Sequence, residues 1–88
     1  MSFLEEIVFT NKANSGKNNL IGIKLAEARK SIGLSQKKFA DRLQLIGLDV
    51  DKNAIQRIEC GKRFVTDIEL VYICKALDTD PNALLDWK

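Results

Sequence analysis

The stretch "DKNAIQRIECGKR", residues 51–63, carries polar side chains at helical spacing. Four of them form paired hydrogen bonds well: Lys52, Asn53, Gln56 and Arg57. At about 100° per residue these four lie at roughly 60–200°, opposite a side that holds Ile55 and Ile58. Asparagine and glutamine can pair with adenine, and arginine and lysine with guanine. The pattern predicts a helix whose polar face either contacts nucleic-acid bases or is simply solvated.

Other chemistry has little support in the sequence. The chain has no histidine, and its only cysteines, Cys60 and Cys74, do not form a C-x-x-C pair. A metal site, a haem site and a structural disulfide are therefore not expected, and both cysteines are interpreted as small apolar filler. There is no glycine-rich phosphate loop and no serine or cysteine beside a plausible base, so we expect neither an enzyme nor a cofactor. Two free thiols leave a redox sensor as a minor alternative.

Charge is unevenly distributed along the chain. Residues 21–63 contain ten basic and five acidic side chains, a balance of +5, whereas residues 64–88 contain two basic and five acidic, a balance of −3. A basic middle segment favours a polyanionic partner. No apolar run is long enough to span a membrane, and the first residues lack the basic region of a secretion signal. We therefore expect a cytoplasmic protein.

Five short helices are predicted from residue 19 onwards, joined by tight turns. The first covers about 20–32 and the third about 52–60, and Gly33 and Gly61 end them. Each predicted helix has a side chain suited to cap its start: Asn19, Ser35, Asp51, Thr66 and Asp80. Glu69 would complete a capping box with Thr66, and Pro81 suits the first turn of the last helix. The sequence thus predicts an all-α bundle.

Helical periodicity also predicts which residues face the core. For the first two helices these are Ile21, Leu25, Ala28 and Ile32, then Phe39, Ala40, Leu43 and Ile46. For the last two they are Ile68, Val71, Cys74 and Leu77, then Ala83, Leu84 and Leu85. A buried apolar side on every helix is what a small bundle requires.

Three segments together resemble a known family. "LSQKKFADRL", "KNAIQRIECGKR" and "DIELVYICKALDTDPNALL" are similar to the Cro/phage-repressor, or xenobiotic-response-element, type of helix-turn-helix family. The resemblance runs from about Ile21 to Leu85. It implies a five-helix, lambda-repressor-like DNA-binding domain and a sequence-specific transcriptional regulator, expected to be a repressor. It also implies that the third helix is the recognition helix in the major groove of double-stranded DNA.

The resemblance assigns roles to individual residues. Lys52, Asn53 and Arg57 match its base-reading positions, and Gln56 lies beside them on the same face. The positions that match phosphate contacts are Ser35 and Gln36 at the start of helix two, and Lys62 and Arg63 in the loop after helix three. Arg29 and Glu59 match a structural pair joining helix one to the end of helix three. A homodimer on a palindromic site is expected, because one such module has a small interface.

One departure from the family pattern lies between helices two and three. Gln36 and Ile55 are nineteen residues apart, which is longer than usual for the family. The extra residues fall in "LQLIGLDV", so either helix two or the turn is longer. The apolar residues Leu45, Ile46, Leu48 and Val50 are expected to pack this turn onto the core.

The N-terminal residues have no counterpart in the family pattern. We assign 1–19 to an arm and linker, because "NKANSGKNN" is polar and rich in turn formers, and 20–88 to the helix-turn-helix domain. The apolar patch from Phe3 to Phe9 fits a strand or a helix equally well. This patch supports a second hypothesis: an antitoxin or adaptor-type interaction module that binds a protein partner through residues 3–9, with DNA binding secondary.

Overall fold

The computed structural model describes residues 16–85, and these form five helices with no strand among them. In chain order the helices are α1 Gly22–Ser31, α2 Gln36–Leu45, α3 Lys52–Glu59, α4 Asp67–Leu77 and α5 Pro81–Leu85. Helix α3 packs against α1 and α2, while α4 packs against α2 and α5, and α5 also contacts α1. The predicted all-α architecture is confirmed. The apolar patch at residues 3–9 lies outside the described residues.

Side-chain caps begin the helices where the sequence predicts them. The Ser35 hydroxyl accepts a hydrogen bond from the Lys38 backbone N–H at 3.1 Å, and the Asp51 carboxylate accepts one from Ala54 at 2.8 Å. Thr66 and Glu69 form the expected capping box at the start of α4. These local bonds satisfy backbone donors that have no partner inside the helix.

The turn between α2 and α3 is held by backbone bonds and one glutamine. Gly47 adopts a φ of +111°, and the Leu48 N–H donates to the Leu43 carbonyl at 2.9 Å, which closes the end of α2. The Gln44 side-chain amide then donates to the Val50 carbonyl at 2.7 Å. Val50 is buried and Leu48 half-buried, as expected, but Leu45 is 87% exposed. The prediction that Leu45 packs this turn onto the core was wrong.

The core is formed by one apolar cluster shared among all five helices. Its buried members are Ile21, Leu25, Phe39, Ala40, Leu43, Val50, Ile55, Ile58, Ile73, Cys74, Ala76, Leu77 and Leu84. Cys74 is thus a buried filler as predicted, whereas Cys60 is exposed, so the same interpretation was wrong there. Helix α5 contributes mainly Leu84, because Leu85 is half-buried and Ala83 is exposed.

Two predicted core residues fail because the helix ends before them. Ile32 and Ile46 are the C-cap residues of α1 and α2, and both are exposed, at 44% and 41%. Helical periodicity was extended past the last helical residue in both cases. Beyond that residue the chain turns away, and the side chain no longer follows the buried stripe.

Helix α4 buries a different side from the one predicted. Ile68 and Val71 are 65% and 47% exposed, whereas Ile73 and Ala76 are buried beside Leu77. Apolar residues occupy most positions of α4, so several faces satisfy the helical period equally well. Packing against α2 and α5 selects one of these faces, and the other remains apolar and exposed.

Gly22 allows α1 to approach the end of α3 closely. A Cβ at this position would lie 2.5 Å from the Ile58 carbonyl oxygen and 2.9 Å from that of Glu59. Contacts this short to backbone atoms are not tolerated, so only glycine permits the observed distance between the two helices. The orientation of α3 therefore depends directly on this residue.

Two further searches concern residues 16–85 alone. None of their helices combines the length and apolar character needed to cross a bilayer. Nor do these residues bring together three or more side chains of the types that hold a metal ion.

Candidate nucleic-acid interface

Helix α3 presents the four predicted base-reading side chains on its exposed side. Lys52, Asn53, Gln56 and Arg57 are all exposed, and the opposite side of the helix is fully buried through Ile55 and Ile58. The Gln56 amide lies 3.9 Å from the exposed Cys60 sulfur, a weak contact. The other three side chains form no hydrogen bond or ion pair with any described residue, so their polar atoms are available to a ligand.

Burial of Ile55 and Ile58 fixes which way this polar face points. The two isoleucines are 0% and 2% exposed and lie against α1 and α2, so α3 cannot rotate about its axis without exposing them. The Asp51 cap fixes where the helix begins. The apolar spacing within α3 therefore determines the orientation of the polar side chains on the other side.

A buried polar cluster secures the C-terminal end of α3. Arg29 and Glu59 form the ion pair expected from the resemblance, with Nε–Oε2 at 2.6 Å and Nη2–Oε1 at 3.0 Å, and both side chains are only 8% exposed. Arg29 also donates to the Leu34 carbonyl at 2.7 Å. Its hydrogen bonds to Glu59 raise the pKa of Arg29. This cluster connects α1, α3 and the turn before α2.

Gln36 and Ser35 lie together at the start of α2. The Gln36 amide donates to Glu59 Oε1 at 2.9 Å, so this predicted phosphate contact also belongs to the Arg29–Glu59 cluster. The Ser35 oxygen accepts the capping bond from Lys38, which leaves its hydroxyl proton free to donate elsewhere. The N-terminus of α2 adds unpaired backbone N–H groups, which suit an anionic ligand.

The loop after α3 contains two cations in different environments. Lys62 is exposed and has no partner among the described residues. Arg63 instead makes two hydrogen bonds to Glu69, at 3.0 and 2.9 Å. This pairing raises the pKa of Arg63 and lowers the pKa of Glu69. The Arg63 charge is therefore largely neutralised within the protein, which was not expected from the sequence.

Two asparagines before α1 bind this same loop. The Asn18 backbone N–H and side-chain amide donate to the carbonyls of Gly61 and Lys62, at 2.7 and 2.9 Å. The Asn19 amide donates to the carbonyls of Ile58 and Arg63, at 3.0 and 2.8 Å. Sequence reasoning assigned both asparagines to a linker, with Asn19 as a helix cap. Asn19 does accept a bond from the Gly22 N–H at 2.9 Å, but its bonds to the loop carry no local sequence signal.

Comparison with known proteins agrees with this geometry. A family model described as helix-turn-helix matches residues 25–84. The chain belongs to the helix-turn-helix family. The resemblance to Cro-type and phage-repressor proteins is thereby confirmed, and this is a family of DNA-binding transcriptional regulators rather than enzymes.

A solved structure gives a second comparison. The chain is similar to the restriction-modification controller protein C.AhdI from Aeromonas hydrophila, with 30% sequence identity and a TM-score of 0.64. The match covers 73% of this chain and 86% of that one. No curated protein matches the chain. The structural match supports the lambda-repressor-like arrangement of the five helices.

Proposed function

We propose that this protein is a sequence-specific regulator that inserts α3 into the major groove of double-stranded DNA. The observation that carries the proposal is the exposed face formed by Lys52, Asn53, Gln56 and Arg57, opposite two fully buried isoleucines. An α-helix fits the major groove, where every base pair presents a different pattern of donors and acceptors. Free amide, guanidinium and ammonium groups at adjacent positions suit that pattern.

Phosphate contacts on both sides of α3 would fix its position on the duplex. Ser35 and Gln36 lie at the start of α2, and Lys62 and Arg63 lie in the loop after α3. Hydroxyl, amide and cationic groups bind phosphate oxygens without reading sequence. Because Arg63 already pairs with Glu69, we expect Lys62 to contribute more to affinity than Arg63.

A second copy of the chain is the expected partner, with the exposed apolar side of α4 as its interface. Ile68 and Val71 lie one helical turn apart and are 65% and 47% exposed. Exposed apolar surface of this kind favours association. A two-fold dimer would set two α3 helices about 34 Å apart, the spacing of successive major grooves on one side of the duplex.

Repression is the expected output, because a dimer occupying the major groove over a promoter excludes other proteins from it. The similarity to a restriction-modification controller protein makes the promoter regions of restriction-modification genes suitable first duplexes to test. The sequence of the operator itself must come from selection.

A binding-site selection from random duplexes tests this function. We expect enrichment of one palindromic sequence whose half-sites are centred about one helical turn apart. A single unsymmetrical half-site would contradict the dimer but not the DNA-binding role. The absence of any enriched sequence would contradict the proposed function.

A further inference from the structure

We propose that Lys17 is an additional DNA phosphate contact, and that Asn18 and Asn19 are positioning residues that hold it beside the loop after α3. The inference rests on the proposed function and extends its binding surface to a segment before α1. Lys17 lies outside the part of the chain that matches the helix-turn-helix family, residues 25–84. Its place beside the loop is evident only from the folded structure.

Residues 17–19 form a strap across this loop. Four hydrogen bonds of 2.7–3.0 Å run from Asn18 and Asn19 to carbonyl oxygens of residues 58–63. The two segments are about forty residues apart in sequence, so these bonds fix a non-local arrangement. The strap satisfies carbonyls at the end of α3 that the helix cannot bond itself.

The side chain of Lys17 packs directly on the loop. A Cβ at Gly61 would lie 2.7 Å from both Cγ and Cδ of Lys17 and 2.9 Å from its Cβ. The methylene stem of Lys17 therefore covers the Gly61 backbone, and Gly61 is buried. A lysine whose stem is packed in this way keeps its ammonium group in solvent. That group has no hydrogen bond or ion pair with any described residue.

The charges around the loop indicate a role for this ammonium group. Lys62 follows Gly61 directly and is exposed, but the Arg63 guanidinium is held by Glu69 at 2.9 Å. Lys17 therefore supplies the second available positive charge that the sequence had assigned to Arg63. An ammonium group on a flexible stem suits a phosphate, which it recognises as a point charge.

The test measures DNA affinity against salt for Lys17→Met, using the full chain and the duplex selected by the wild type. Methionine keeps an unbranched stem over Gly61 and removes the charge. We expect the slope of log K against log salt to fall by about 0.9, with about an eightfold loss of affinity at 0.1 M salt. The loss should be equal on an unrelated duplex, because phosphates carry no sequence.

Three matched variants make the outcome decisive. Lys62→Met should show a similar loss, Lys17→Arg should keep the wild-type slope, and Lys24→Met on α1 should behave as wild type. If Lys17→Met keeps the wild-type slope while Lys62→Met loses affinity, the inference is overturned and the proposed function stands. An equal loss in Lys17→Arg and Lys17→Met would also overturn it, since the effect would then be steric. If the wild type shows no salt-dependent DNA binding, both proposals fail.

Discussion

At the scale of single residues, the buried Arg29–Glu59 pair is the polar feature on which the position of α3 most depends. Arg29, Gln36 and Leu34 all bond to each other through this cluster or to its carboxylate, at 2.6–3.0 Å. A charge buried to this extent is tolerated only when its partners are present. The pair therefore makes the end of α3 and the start of α2 a single unit.

Removing one member of this pair should be costly. We expect Glu59→Ala to lower the free energy of unfolding by about 3–5 kcal/mol, because it leaves the Arg29 charge buried without a partner. Asp41→Ala is the matched control: it breaks the Lys37–Asp41 pair, whose side chains are 72% and 53% exposed. That loss should be only about 0.3–0.5 kcal/mol. Urea denaturation measures both, and equal losses would show that the buried pair is not structurally important.

At the scale of helices, the exposed apolar side of α4 needs explanation. A monomeric domain could bury Ile68 and Val71 only by rotating α4, which would expose Ile73 and Ala76 instead. The helix therefore carries more apolar surface than one core contact uses. A second copy of the chain could cover the remainder.

This interface predicts a defect in assembly rather than in folding. Val71→Asp should abolish the dimer in analytical ultracentrifugation and weaken binding to a palindromic duplex, because it introduces a charge into the apolar contact. Its melting temperature should stay near that of the wild type, since Val71 is 47% exposed. Leu45→Asp, at a residue that is 87% exposed outside α4, is the control and should remain dimeric. A dimer of unchanged stability in Val71→Asp would rule out this side of α4.

The helices themselves were predictable because their signals are local. Caps such as Ser35 and Asp51 act over three residues, and the turn glycines act at their own positions, so the pattern alone located all five helices. The buried side of α4 was not predictable, since its apolar residues satisfy several faces and tertiary packing selects one. Pairing of Arg63 with Glu69 and the bonds from Asn18 to the loop depend on the folded chain. They changed the expected phosphate contacts for that reason.

At the scale of the whole molecule, charge and shape favour the same surface. Residues 21–63 carry the excess of +5, and α2, α3 and the following loop all lie within them. The exposed cations of this segment include Lys52, Arg57 and Lys62. Such a surface attracts DNA at long range, and the side chains of α3 then select the sequence.

The most direct test of this account compares sequence discrimination by variants of α3 and of the loop. Affinities are measured on the selected duplex and on duplexes with single base-pair changes. Asn53→Ala and Arg57→Ala should each lose about 1–3 kcal/mol of discrimination at particular base pairs. Lys62→Ala should weaken binding to every duplex equally and leave discrimination unchanged.

The difference arises because a phosphate is the same at every step, whereas a base edge is not. Lys52→Ala and Gln56→Ala complete the set and assign the remaining positions of the site. The account predicts that relaxed specificity maps to α3 alone. If all four α3 variants discriminate among the duplexes as the wild type does, α3 does not read DNA and its polar face is only solvated surface.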